Sequence, residues 1–354
     1  MRSPIILGAL VALLPPAGAL ASSADLPPSE KVAEALDNHP AVAAARARVD
    51  AARADRDMLA KGTHEIAVTG SYVRRSVDRE GGYDEFDATI ARPFRLPGKA
   101  ALDREAGALG IEVAENRMED ARHQTALLLS GYWNDWLVAG ALYRNDLDTV
   151  RWLEKELSAL RRRVALRDAA ALDVDQAMAA MAQAQAQAAN SLAAREQARV
   201  ALAANFPEIP LPIEPPETSV AMVPAQRLAA MRDLVIERSH EIRAAEREAQ
   251  RLAVVAQRVR ADRIADPSFG VRLFSERSGM EQGAGVVMSM PLGGGHRRAA
   301  ADRASAEGNA AQLEHMSVQR TVRAIADADL SSATLRLEAW KNTDLSAQSA
   351  ASAL

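Results

Sequence analysis

The chain has 354 residues, a formal charge of -4 at pH 7, 25% charged residues and only 4% aromatic ones. Acidic and basic side chains are mixed along its length, which excludes a nucleic-acid groove built on one basic face. It contains no cysteine, so it has neither disulfides nor the thiol on which a lipid anchor is built at an export cleavage site.

In chain order, Arg2, the apolar run Ile5 to Leu14 and the small residues Ala19-Leu20-Ala21 read as a secretory signal peptide over 1–21. The run is too short for a span, which takes ~20 apolar residues, and no later stretch reaches that length. A first repeat is expected over 22–205. It opens with Val32 to His39 and an Ala/Arg-rich helical pattern. Residues 64–75 then alternate, with Ile66, Val68, Gly70 and Tyr72 on one face and Ala67, Thr69 and Ser71 on the other. After a polar turn near Gly81-Gly82, residues 84–94 place Phe86, Ala88 and Ile90 together. The segment from Pro93 to Gly98 and Lys99 leads into a proline-free run over 98–166.

That run carries apolar residues at heptad spacing: Leu129, Trp136, Tyr143, Val150, Leu157 and Val164, with Leu153 and Leu160 on the second seam. Sustained heptads predict coiled-coil packing. As one helix, its 69 residues rise about 100 Å. A reversal follows near Ala165 to Ala171, where Asp168 or Asp173 is placed to cap a returning helix over 170–205. Ala177, Met178, Met181, Ala184 and Ala188 form its small-residue face. Pro207, Pro210, Pro212, Pro215, Pro216 and Pro224 forbid helix and predict an extended connector over 206–224.

A second repeat is expected over 225–354. Leu234 to His240 opens it. Strands over 267–276 and 282–292 follow, with Phe269, Val271 and Leu273 alternating with Gly270 and Arg272. Beyond a turn near Ser278-Gly279, Val286, Met288, Met290 and Leu292 share a face. Pro291 to Gly295 and Arg297 lead into a helix over 296–354. His39 and His240 are 201 residues apart; Pro93 and Pro291 are 198 apart, as are Lys99 and Arg297. An ordered series of this kind marks a duplication.

Period-two runs joined by polar turns match membrane-barrel strands. They put Ile66, Val68, Tyr72, Val271, Leu273, Met288 and Met290 toward lipid and Arg272 toward a lumen. Two hairpins of an ordinary soluble sheet have the same alternation. Four strands do not close a membrane barrel, so in lipid several chains must share one, and three chains supply twelve strands. No histidines pair at metal-ligand spacing, and Gly293 to Gly295 lack the ending of a phosphate loop. No catalytic residue, cofactor or metal is therefore expected, and the chain does not read as an enzyme.

The duplicated order of helix, strand pair, Pro-Gly turn and long helix resembles the TolC-like outer-membrane efflux proteins. Leu96-Pro97-Gly98-Lys99 looks most like the heavy-metal resistance branch. Arg162-Arg163-Val164-Ala165-Leu166, followed by Asp173-Val174, resembles the periplasmic helix tip of that family, with Ala165 where glycine is usual. The resemblance implies a mainly α fold with β: long antiparallel helical hairpins forming an α-barrel tunnel through the periplasm, and four strands per subunit in a twelve-stranded β-barrel of a homotrimer. Pro93, Gly98, Pro291 and Gly295 become barrel-to-helix turns. Val164, Ala165 and Leu166 become contacts for a periplasmic adaptor attached to an inner-membrane pump, and the channel itself is passive. The tip lies 67 residues after Lys99, and the same count from Arg297 passes Leu354. The resemblance thus reads as C-terminally truncated. The alternatives are a soluble periplasmic coiled-coil scaffold or adaptor-like protein, or a non-functional fragment of the channel.

Overall fold

The computed structural model describes residues 25–218 and 225–352. The expected signal peptide and the last residues of the connector lie outside the described residues. Helices α1 (Ser29–Asn38) and α2 (Pro40–Lys61) lead to strands β1 (Ala67–Val77) and β2 (Gly81–Pro93), then to α3 (Lys99–Ala165) and α4 (Ala171–Asn205). The order recurs in α5 (Ala225–Arg238), α6 (His240–Ala261), β3 (Ser268–Glu276), β4 (Glu281–Ser289) and α7 (Gly295–Ser352). No described helix follows α7. The break between α1 and α2 falls at Pro40, which has no N–H to give an earlier turn. At the matching break, Ser239 caps α6 by accepting the Ile242 N–H at 3.2 Å.

Two compact units cut across the two repeats. One comprises the described parts of 1–39 and 124–222, the other 40–123 and 223–354, and the unbroken α3 belongs to both. In the first unit, Trp136 is wholly buried and meets Trp133 edge-on at 5.2 Å. Leu129 and Leu137 join them against Leu36 of α1 and Leu202 of α4. The heptad stripe is therefore the packed stripe: Leu129, Trp136 and Leu157 are buried, and Tyr143, Val150 and Val164 are half-buried. Met178 departs from the expected face of α4 and is exposed, because the packed stripe runs through Ala177, Met181, Ala184 and Ala188 at helical spacing instead.

The connector is more than a spacer. Phe206 and Ile209 are buried in the same core, and Phe206 stacks on His39 with centroids 5.4 Å apart. Further on, Pro215 lies so close to α3 that a Cβ on Gly140 would come within 2.0 Å of its ring. The Arg144 guanidinium donates to the Pro215 carbonyl at 3.1 Å.

In the second unit, the strands form one antiparallel sheet in the order β1-β2-β3-β4, so β2 and β3 join the two halves of the chain. Two of the expected lipid-facing residues fall just outside the strands: Ile66 precedes β1 and Met290 follows β4. The first turn also lies earlier than expected. It occupies residues 78–80, with Arg79 in the left-handed region, and Gly81 and Gly82 already belong to β2. The second turn is a short 3-10 helix at Arg277–Gly279.

Candidate functional site

Register decides which side chains share a face of the sheet. Val68, Ile90, Val271 and Val286 lie side by side across all four strands, and so do Gly70, Ala88, Leu273 and Ala284. This apolar face is exposed: Val286 is 84% accessible, and Val68, Ile90, Val271, Leu273 and Met288 are all exposed. Tyr72 and Phe86, 5.1 Å apart, flank the aliphatic band at its turn end, and Phe94 and Phe269, 5.7 Å apart, flank it at its helix end. The other face carries Thr69, Ser71, Asp87, Thr89 and Arg272. There Arg272 pairs with Asp87 and lies 5.6 Å from the Phe274 ring centre. On β2 this polar side is half-buried while Phe86, Ala88 and Ile90 are exposed. A sheet folded for water buries its apolar face and exposes the other.

Below the sheet, where strands become helices, lies a charge cluster that the sequence pattern did not reveal. Lys99, 2% exposed, points its Nζ at the Ile264 carbonyl (2.7 Å), Asp262 (2.8 Å) and Asp266 (2.9 Å). Asp103 sits between Arg95 (3.1 Å) and Arg258 (2.7 Å), and Arg258 reaches Asp262 at 2.6 Å. Three cations thus face three carboxylates. Burial pushes the Asp266 carboxyl up, but Lys99, the Leu96 N–H and His64 outweigh it and hold the group at about 2. Asp262 is lowered in the same way, by Arg258 and Lys99 against burial. Arg95 also caps α2 through the Leu59 and Ala60 carbonyls. Gly62, at φ 70°, leaves it room: a Cβ there would collide with the guanidinium.

The cluster locks the two halves together at the base of the sheet. Its groups neutralise one another, so none is left as a free base or nucleophile. Among the described residues no group of three or more His, Asp or Glu side chains is arranged to hold a metal, and no helix is long and apolar enough to cross a membrane. Of the expected barrel-to-helix turns, Pro93 closes β2 and Gly98 precedes α3 with φ 88°. The second turn differs, because Pro291 lies beyond β4 and Gly295 is already the first residue of α7.

The third candidate region is the α3–α4 turn. The Asp168 N–H reaches back to the Arg163 carbonyl at 2.8 Å and the Arg167 N–H to Val164 at 3.0 Å. This is a Schellman end with Arg167 in the left-handed position (φ 63°) where glycine is favoured. Neither expected aspartate is an N-cap. Asp168 pairs with Arg163 at 3.1 Å, and Asp173 reaches back from the first turn of α4 to the Ala170 N–H at 3.1 Å. Leu166, 79% accessible, and Leu172 project from the turn among Arg161, Arg162, Arg163 and Arg167, while Ala165 is exposed and Val164 half-buried.

No protein-family model and no curated protein matches the chain. Solved structures do. A membrane protein from Pseudomonas aeruginosa matches with a TM-score of 0.70 at 21% identity, over 87% of this chain and 75% of its own. The outer membrane protein VceC from Vibrio cholerae matches at 0.70 and 18% identity, over 89% and 81%. The Campylobacter jejuni CmeC outer membrane channel matches at 0.69 and 15% identity, over 90% and 73%. The chain shares the fold of these solved structures: mainly helical, with long helices and four strands in one sheet.

Proposed function

We propose that the chain is one subunit of a passive outer-membrane channel in a tripartite efflux system. The observation that carries this reading is the exposed aliphatic row of Val68, Ile90, Val271 and Val286 across all four strands, opposite a face that carries the Arg272–Asp87 ion pair. Lipid is the solvent that suits such a face, and paired aromatics at both ends of the band suit the two membrane interfaces. Ile66, Val68, Tyr72, Val271, Leu273, Met288 and Met290 then face lipid, and Arg272 and Asp87 face the lumen. β1 and β4 each have one unpaired edge. An open edge is costly in hydrocarbon, so copies must share a barrel, and a homotrimer closes it with twelve strands.

The Arg-flanked apolar turn of Val164, Ala165 and Leu166 is the docking point for a periplasmic adaptor, through which an inner-membrane pump delivers cargo. The expected export signal over 1–21 and the outer-membrane location fit this role. Fractionation of the full chain tests the reading. The expected result is an outer-membrane protein that runs as a detergent-resistant trimer and becomes a monomer on heating. A soluble periplasmic monomer would overturn the channel and favour a scaffold.

A further inference from the structure

We infer that Arg297 of one copy and Glu65 of the next form, between copies, the clasp that Lys99 and Asp266 form within one. This rests on the shared barrel proposed above and names the contact that closes it. The argument starts from the two hairpins. Ala67 pairs with Ala91 in the first, and Ser268 pairs with Ser289 in the second. These are equivalent pairs, 201 residues apart between β1 and β3 and 198 apart between β2 and β4. β2 continues past Ala91 through Arg92 and Pro93, and these two residues pair only with β3. Their equivalents, Met290 and Pro291, have no strand beside them and lie beyond the end of β4.

Repeating the β2–β3 register at the free edge of β4 supplies the missing neighbour from β1 of another copy. Met290 then lies beside Val68, Met288 beside Gly70 and Val286 beside Tyr72. Each pair belongs to the apolar face, so the band continues unbroken from copy to copy. A slip of one residue would set apolar against polar along the whole seam.

The charges at the base follow the same rule. Within the chain, Asp266 stands two residues before β3 and accepts from the Leu96 N–H and the Lys99 Nζ. Glu65 stands two residues before β1; it is exposed, and no partner for it occurs among the described residues. Gly294 and Arg297 occupy the places of Leu96 and Lys99. Arg297 uses one N–H on the Asp262 carbonyl at 2.7 Å, and its fork has further donors for a carboxylate. The other ion pairs across the internal seam are not carried over. Ala301 and Ala310 of α7 stand in the places of Asp103 and Glu112, the α3 carboxylates that pair with Arg258 and Arg247. With those α3 carboxylates replaced by alanine on α7, the charge recognition between copies concentrates at Glu65 and Arg297.

The test uses the full chain, which has no cysteine of its own. Val68→Cys combined with Met290→Cys should give interchain disulfides on oxidation, because directly opposed strand residues meet the bridging distance. Val68→Cys with Ser289→Cys, one residue out of register, should not. Glu65→Arg alone and Arg297→Glu alone should each lower the detergent-resistant oligomer on the order of tenfold. The two together should restore it to within about twofold, which a mere folding defect would not do. Cross-linking from the shifted pair overturns the register. Correct cross-linking without rescue by the charge swap overturns the clasp but leaves the channel standing. A monomeric unsubstituted chain overturns both.

Discussion

The core around Trp136 and the sheet around Val271 use the same kinds of side chain in opposite ways. In the first, Leu129, Trp133, Leu202 and Phe206 are turned inward and removed from water. In the second, Val68, Ile90, Val271 and Val286 are turned outward in one continuous row, with nothing over them among the described residues. One polypeptide thus obeys the hydrophobic effect around Trp136 and violates it at the sheet, unless the sheet has a different solvent. The contrast teaches that exposure of an apolar row is informative when the row runs unbroken across every strand and the opposite face is polar.

Five substitutions sharpen or break that contrast. The largest effect is expected from Trp136→Ala, which opens a cavity in a closed core and should cost about 3–5 kcal/mol. Thermal unfolding of the purified protein would show it, whatever surrounds the sheet. Val271→Lys comes next. Near a bilayer midplane it should cost about 2–4 kcal/mol and deplete the membrane-assembled fraction. In a sheet bathed by water the same change stays within about 0.5 kcal/mol, and that result would remove the contrast.

The third concerns the base of the sheet. The folded Asp266 carboxyl, at about 2, lies below its ordinary 3.8. Its stabilisation, roughly 2 kcal/mol, is therefore complete above about pH 4 and is lost as pH falls toward 2. Denaturant midpoints measured across that window should drop for the native chain and flatten for Asp266→Asn. Smallest is the helix turn. Arg167→Gly relieves a left-handed arginine and should raise stability by about 1 kcal/mol. Leu166→Asp should leave melting within about 0.5 kcal/mol yet weaken capture of an adaptor. Unchanged capture would remove the turn from the docking surface.

Several of these features were legible before any coordinates. Alternation around Val68 and Val271, and the heptads through Leu129 and Trp136, are local patterns written over a few residues. They survive because each strand or helix presents one stripe to one environment. The cluster at Lys99 was not legible. The residue was visible only as part of a turn, since its partner Asp266 lies 167 positions away. Nor did the prolines of the connector announce that Phe206 and Ile209 belong to the core. Residues 290–292 were read as strand because their alternation continues, but a strand end is set by its neighbour, and among the described residues β4 has none on that side.

The sequence by itself determined the kinds of element, their duplicated order, and which side chains share a face. Tertiary structure alone decided that β2 lies beside β3, that Lys99 is buried among Asp262 and Asp266, and that the apolar face is the uncovered one. The physical reason is range. Backbone periodicity is settled within a turn or a pleat, whereas pairing and burial depend on which distant segments meet once long loops have closed.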